Sequence, residues 1–191
     1  MSMQNNVEEI LKQSQALLDG HFLLTSGRHA GQYMQCARVQ QYPDRLEAIA
    51  KIIAEGFSGD RVDIVIAPAI GGIVIGYELA RQLGAKSIFT ERVDGKMELR
   101  RGFDIPKGAR VIIAEDVITT GLSTKEVIDV AAAYGAEIVG VGVMVDRTGG
   151  NADLGAKIVS AYSRQISSYL PEECPICAQG ELPLIKPGSR R

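Results

Sequence analysis

The sequence has no disulfide framework, no surplus of charge of one sign and no long apolar run, and each lack removes a class of protein. Three cysteines, Cys36, Cys174 and Cys177, cannot staple a small scaffold. The 21 Lys and Arg residues stand against 23 Asp and Glu, a net charge of -2. Domains built to grip nucleic acid are usually strongly basic, so no nucleic-acid partner is expected. No apolar stretch approaches the roughly 20 residues that cross a bilayer, and the opening MSMQNNVEEI has no signal-peptide core. A cytoplasmic location with no membrane partner is therefore expected. What remains is an ordinary globular composition, 46% hydrophobic and 23% charged over 191 residues, long enough to bury a full core as one domain.

Several chemistry-bearing motifs are also missing. No Gly-x-x-x-x-Gly-Lys-Ser/Thr occurs, so there is no P-loop. Gly140-Val-Gly142 lies inside a strand-like run and lacks the third glycine of a dinucleotide fingerprint. With two histidines, His21 and His29, and no Gly-x-Ser-x-Gly, a hydrolase triad has little support. Cys174-Pro-Ile-Cys177 has the spacing of half a zinc site. A structural zinc takes four ligands, however, and both histidines are far away in sequence. A reduced structural pair without metal is the expectation.

What is present is an alternation. Apolar spacing predicts a helix over 6–19 that Gly20 ends, a hairpin or strand-loop segment in HFLLTSGRHAGQY (21–33) and a helix in RLEAIAKIIAEGF after Pro43. Strands follow at 62–67, 86–90, 111–115, 137–146 and 157–162, with helices after the first and the third. Ser123-Thr-Lys-Glu126 reads as a capping box opening the second of these. Continuous apolar strands alternating with helices imply an α/β fold, about five parallel strands covered on both faces. The charged segment ERVDGKMELRRGFDIPKG reads as an exposed hairpin or a mobile loop.

The most informative stretch is VIIAEDVITTGLS (111–123), an apolar run carrying two adjacent acids and then a glycine-containing turn. Ligands of open parallel sheets sit beyond the carboxyl ends of the strands. A helix N-terminus there offers unpaired N–H groups to an anion. Thr119, Thr120 and Ser123 add hydroxyls, and Gly121 lets the backbone come close. A sugar phosphate uses both features, its phosphate on the loop and its vicinal hydroxyls on Glu115 and Asp116.

This stretch resembles the phosphoribosyl diphosphate motif of the type I phosphoribosyltransferases. Around it FLLTSGR, APAIGG and VDRTGG (145–150) are similar, in that order, to the orotate phosphoribosyltransferases within that family. The resemblance covers most of the chain. It implies the type I phosphoribosyltransferase fold, with a core over 44–162 and a small hood from residues 1–40 and about 165–191. It implies transfer of ribose 5-phosphate from phosphoribosyl diphosphate to orotate, giving orotidine 5'-phosphate and pyrophosphate in pyrimidine synthesis. Mg²⁺ would be held mainly through the substrate rather than by a protein metal site. By the same resemblance Arg92, Lys96 and Asp116 are catalytic, and Arg92 with Glu115, Asp116, Val117, Ile118, Thr119, Thr120, Gly121, Leu122 and Ser123 bind the donor. Ala69, Ile70 and Gly71 would line the pyrophosphate, and Thr119 and Arg147 would contact orotate. A homodimer is implied, with the charged loop 91–103 covering the neighbouring site.

Two departures stand out. The loop carries Arg92, Lys96, Arg100 and Arg101 but no histidine, which leaves its work to cations. Thr25 occupies a position where the family commonly has Lys before Ser-Gly-Arg, and Tyr33 alone represents the aromatics expected further on. This marks a divergent branch. The rivals are a purine or uracil phosphoribosyltransferase and a regulator that senses phosphoribosyl diphosphate on the same fold. Arg147 disfavours the first, since a neutral base has no carboxylate for it. The charge of -2 disfavours the second.

Overall fold

The computed structural model describes residues 3–24 and 26–187; Thr25 and residues 188–191 of the tail lie outside it. After a first helix α1 (Met3–Gln13), strands β1 (Leu17–Leu23) and β2 (His29–Met34) form an antiparallel hairpin. A short helix α2 (Ala37–Gln40) leads into α3 (Pro43–Glu55), and the alternating core then begins. Its elements are β3 (Ile64–Pro68), α4 (Gly72–Leu83), β4 (Lys86–Val93), β5 (Lys96–Leu99), β6 (Arg110–Ile118), α5 (Leu122–Ala133), β7 (Glu137–Asp146) and β8 (Ile158–Ser163). The C-terminal part carries only short pieces: β9 (Ser168–Tyr169), a 3-10 turn (Pro171–Glu173), α6 (Pro175–Gln179) and β10 (Leu184–Ile185).

The main sheet has the order β5-β4-β3-β6-β7-β8. Strands β4, β3, β6, β7 and β8 run parallel, as expected, and β5 adds an antiparallel edge. Side-chain alternation divides the core into two layers. Val65, Ala67, Ile112 and Ala114 pack with Ile49 and Ile53 of α3 and Ile75 and Leu79 of α4. Ile64, Ile66, Val111 and Ile113 face the other way, onto Val127, Ile128 and Ala131 of α5. The glycines of β7 serve this packing: a Cβ on Gly142 would lie 2.6 Å from Ile53 Cγ2, so helix α3 could not sit where it does. A second sheet, β10-β1-β2-β9, is assembled from both ends of the chain.

Three local expectations are corrected. The first helix stops at Gln13, because Gln15 takes a positive φ of 53° and Leu17 and Leu18 enter β1; Gly20 is a strand residue. Two leucines in a row fit either element, and the hairpin partner decides. The helix after the acids is not opened by Ser123: its N-cap is Gly121 with φ 77°, and no side-chain capping bond forms. Finally, β6 does not end at Glu115 but runs on through Asp116 to Ile118.

The charged segment after β4 is a regular hairpin. Asp94 and Gly95 both have positive φ, 48° and 82°, and Val93 pairs with Lys96, the geometry of a two-residue type I′ turn. Partly buried Met97, Leu99 and Phe103 pack on the α5 side of the core, with Phe103 edge-on to Phe89.

Candidate active site

Strand order reverses between β3 and β6: from β3 the chain crosses to β4, then returns to build β6, β7 and β8 on the other side. A crevice opens beyond the carboxyl ends of strands at such a switch point. The two loops flanking it are Ala69-Ile70-Gly71 after β3 and Thr119-Thr120-Gly121 after β6, the segments singled out from sequence. They meet. A Cβ on Gly71 would lie 2.6 Å from Asp116 Oδ2 and 2.9 Å from Oδ1, so only a glycine lets the first loop pass this carboxylate. The Ala69-Ile70 peptide in that loop is cis, and Ile70 projects into solvent.

Glu115 is 6% exposed, so it is no solvated strand end. Its Oε2 accepts from Thr124 Oγ1 at 3.4 Å and its Oε1 from the Asp116 N–H at 3.2 Å. No Lys or Arg pairs with either acid among the described residues. Burial, and then the charge of Asp116, push the Glu115 carboxyl up to about 8. Burial also raises Asp116 from its ordinary value. A buried acid beside a half-buried one, with no paired cation, forms an unfavourable arrangement that a ligand rich in hydroxyls, or a divalent ion, would relieve.

Beyond the acids, Thr119, Thr120, Leu122 and Ser123 are exposed around the buried Gly121. Gly121 is required twice over, by its left-handed φ and by Leu154, whose Cδ2 would lie 2.8 Å from an added Cβ. The loop thus presents hydroxyls and the N-terminal N–H groups of α5 to the crevice.

Arg147 follows β7 directly, and its N–H donates to the Ile118 carbonyl at 2.9 Å, which holds the tips of β6 and β7 together. Its guanidinium is half-buried, and Nε is enclosed without an acceptor. Desolvation draws its pKa below the ordinary guanidinium value, opposed by nearby Cys36 and Tyr33. A salt bridge to Asp146 does not form. The Asp146 carboxylate accepts instead from the Thr148 N–H (2.8 Å), the Thr148 hydroxyl (2.6 Å) and the Gly150 N–H (2.8 Å), shaping the Thr-Gly-Gly turn. An enclosed cationic fork with an open donor suits a carboxylate.

Arg92 lies elsewhere. It pairs with Glu126 of α5 in the same chain and donates to the Gly95 carbonyl at 2.7 Å. Arg101 pairs with Glu91, whereas Lys96 and Arg100 are exposed with no ion-pair partner among the described residues. Sequence reading passed over two neighbours of the site. Cys36 Sγ donates to the Asp116 carbonyl at 3.5 Å, and Gln40 Nε2 donates to the Gly71 carbonyl at 2.9 Å while its Oε1 is enclosed and unpaired. No pattern marks either residue, since both come from the short segment around α2.

The fold agrees with what the chain is similar to. Residues 36–170 match the model of the phosphoribosyl transferase domain. An orotate phosphoribosyltransferase of Caldanaerobacter subterraneus is 50% identical over 188 residues, covering 98% of either chain. One from Chlorobium phaeobacteroides is 52% identical over 182 residues, 95% of this chain and 94% of that one. The crystal structure of orotate phosphoribosyltransferase from Aeropyrum pernix superposes with a TM-score of 0.71 at 27% identity, covering 82% of this chain and 93% of that one.

Proposed function

The chain belongs to the phosphoribosyltransferase family, and from that premise we propose that it is an orotate phosphoribosyltransferase, joining orotate to ribose 5-phosphate with release of pyrophosphate. The observation that carries the choice of base is Arg147, a half-buried guanidinium whose enclosed Nε has no acceptor, at the sheet edge that also carries Glu115 and Asp116. Relatives at 47–52% identity over nearly the whole chain bear the same activity in their names.

Glu115 and Asp116 accept the vicinal hydroxyls of the donor ribose. Thr119, Thr120, Ser123 and the N–H groups around Val117, Ile118, Gly121 and Leu122 take its 5'-phosphate. Ala69-Ile70-Gly71 follows the pyrophosphate, close to Asp116. Arg147, with Thr119 beside it, binds the orotate carboxylate and turns the ring nitrogen toward C1. The bond from C1 to pyrophosphate breaks as the bond to nitrogen forms, and positive charge develops on the ribosyl ring. No protein nucleophile is needed; positioning and charge stabilisation carry the step.

The Glu115 and Asp116 carboxylates, hard oxygen donors without a paired cation, fit Mg²⁺ at this position; it would be held chiefly through donor oxygens and would neutralise pyrophosphate charge. Lys96 and Arg92 contribute further positive charge from the hairpin. In a homodimer the hairpin would reach the partner's site, with Arg92 exchanging Glu126 for pyrophosphate. Exposed Ile70, Val74 and Tyr77 support self-association, because they form one apolar stripe from the pyrophosphate loop along α4.

The test is pyrophosphate release from phosphoribosyl diphosphate and Mg²⁺ with orotate, uracil or adenine as acceptor. Release that depends on orotate is expected. Equal or better turnover of uracil or adenine would overturn the choice of base and leave only the donor site.

A further inference from the structure

Far along the chain from the crevice residues, the small sheet brings together four side chains that the sequence separates. His21, His29, Cys174 and Cys177 each offer a ligand atom, and all four atoms lie within 4.8 Å of one another. The distance in sequence that argued against this grouping is undone by the hairpin. Leu23 pairs with His29, so His29 stands diagonally across from His21 on the same face of the β1–β2 pair. The Cys174-Pro-Ile-Cys177 turn then drops onto that face, where Gly31 leaves room: a Cβ there would lie 3.3 Å from Ile176 Cδ1.

We propose that these residues form a closed structural Zn²⁺ site, ligated by His21 Nε2, His29 Nδ1 and the two thiolates. Ideal tetrahedral zinc puts its nitrogens about 3.3 Å apart and each nitrogen about 3.6 Å from each sulfur. Here the two nitrogens are 3.0 Å apart, Cys174 Sγ and Cys177 Sγ lie 3.5 and 3.6 Å from His21 Nε2, and Cys177 Sγ lies 3.3 Å from His29 Nδ1. These four edges are within tenths of an ångström of the required tetrahedron, and the remaining two are no longer than 4.8 Å. A carbonyl also sets the tautomer. His21 Nδ1 is 3.4 Å from the Leu182 oxygen, to which only an Nδ1–H can donate, so Nε2 keeps its lone pair toward the cluster.

The donor set selects the ion and its role. Two thiolates and two imidazoles suit zinc rather than magnesium or calcium, and together they neutralise a divalent charge. With four protein ligands, and His21, His29 and Cys174 buried at 3%, 5% and 3% exposure, no position is open to substrate. Apart from Arg28, which donates to the Ser168 hydroxyl at 2.9 Å and its carbonyl at 2.6 Å, the C-terminal segment has little else to hold it. Strands β9 and β10 are two residues each, Leu182, Leu184 and Ile185 are about half exposed, and Cys174 is its only buried residue after Tyr162 among those described. Yet β10 pairs with β1 at His21 and β9 pairs with β2 at His29, so one ion would fasten the tail to both hood strands at their ligands.

The experiment uses the full chain. Metal content after purification and desalting under reducing conditions is measured by mass spectrometry, and metal-free protein is titrated with Co²⁺. Expected are one zinc per chain, and with Co²⁺ one equivalent producing the intense visible bands of a tetrahedral thiolate site. Cys177→Ser, the most exposed ligand, should weaken Co²⁺ binding at least tenfold and shift the thiolate band. Zinc removal should speed proteolysis of the segment after Ser163 while the parallel-sheet core stays intact. Folded wild-type protein that takes up neither Zn²⁺ nor Co²⁺ stoichiometrically with both thiols reduced would overturn the proposal. A stable Cys174–Cys177 disulfide in the purified enzyme, or iron in place of zinc, would do so too.

Discussion

Replacing Glu115 with Gln should make the unliganded protein more stable while disabling it. In the folded protein burial and Asp116 raise this carboxyl from 4.5 to about 8. A folded value above the unfolded one means that stability is fully present below about pH 4.5 and is lost as pH climbs toward 8. At 1.36 kcal/mol per unit the loss is on the order of 5 kcal/mol for a group this buried. Gln keeps the shape and the contact with Thr124 but cannot ionise. Wild type and Glu115→Gln should therefore unfold at similar urea concentrations near pH 4.5. By pH 9 the variant's midpoint should be higher by about 1–2 M. The series is run at one protein concentration and fixed metal content, because subunit and metal binding also shift midpoints. The same variant should lose about 1.5–3 kcal/mol of phosphoribosyl diphosphate binding, the worth of a hydrogen bond to a charged group. If the two midpoints stay parallel from pH 5 to 9, or if Gln is the less stable at pH 9, Glu115 is a structural partner of Thr124 and the reasoning fails.

Two other expectations concern the neighbouring loops. Gly71→Ala places a methyl 2.6–2.9 Å from the Asp116 carboxylate atoms and pushes that carboxylate aside, so donor affinity measured by calorimetry should fall at least tenfold with little change in thermal midpoint; unaltered affinity would show that the two loops do not share a ligand. Mixing inactive Arg92→Ala subunits with inactive Asp116→Asn subunits should restore activity, since a hybrid contains one site with both an intact acid pair and an intact hairpin; no recovery despite demonstrated subunit exchange would count against an arm that crosses the interface.

Much of the fold could be read from the chain because its signals are local. Five apolar strands, the helix that Gly84 ends and the hairpin around Ser26-Gly27-Arg28 follow from side-chain period and turn residues. Boundaries failed where one residue type fits two elements, as at Leu17-Leu18, and where a glycine replaced a side-chain cap, as at Gly121. The donor loop was legible as one contiguous segment. The metal-ligand cluster was not, since it depends on a hairpin register and on a tail strand pairing with residues more than 150 positions earlier. Nor does a sequence show that the Asp146 carboxylate is taken up by Thr148, Gly150 and Ser163, or that Arg147 Nε has no acceptor.

The most direct test of the account is the ratio of kcat/KM for orotate to that for uracil, which differs from orotate by the carboxylate alone, in wild type and in Arg147→Ala. If the enclosed guanidinium receives that carboxylate, wild type should strongly favour orotate. The substitution should remove about 2–5 kcal/mol of the preference, with phosphoribosyl diphosphate affinity nearly unchanged. A ratio that survives the loss of Arg147 would contradict the claim that this residue selects the base.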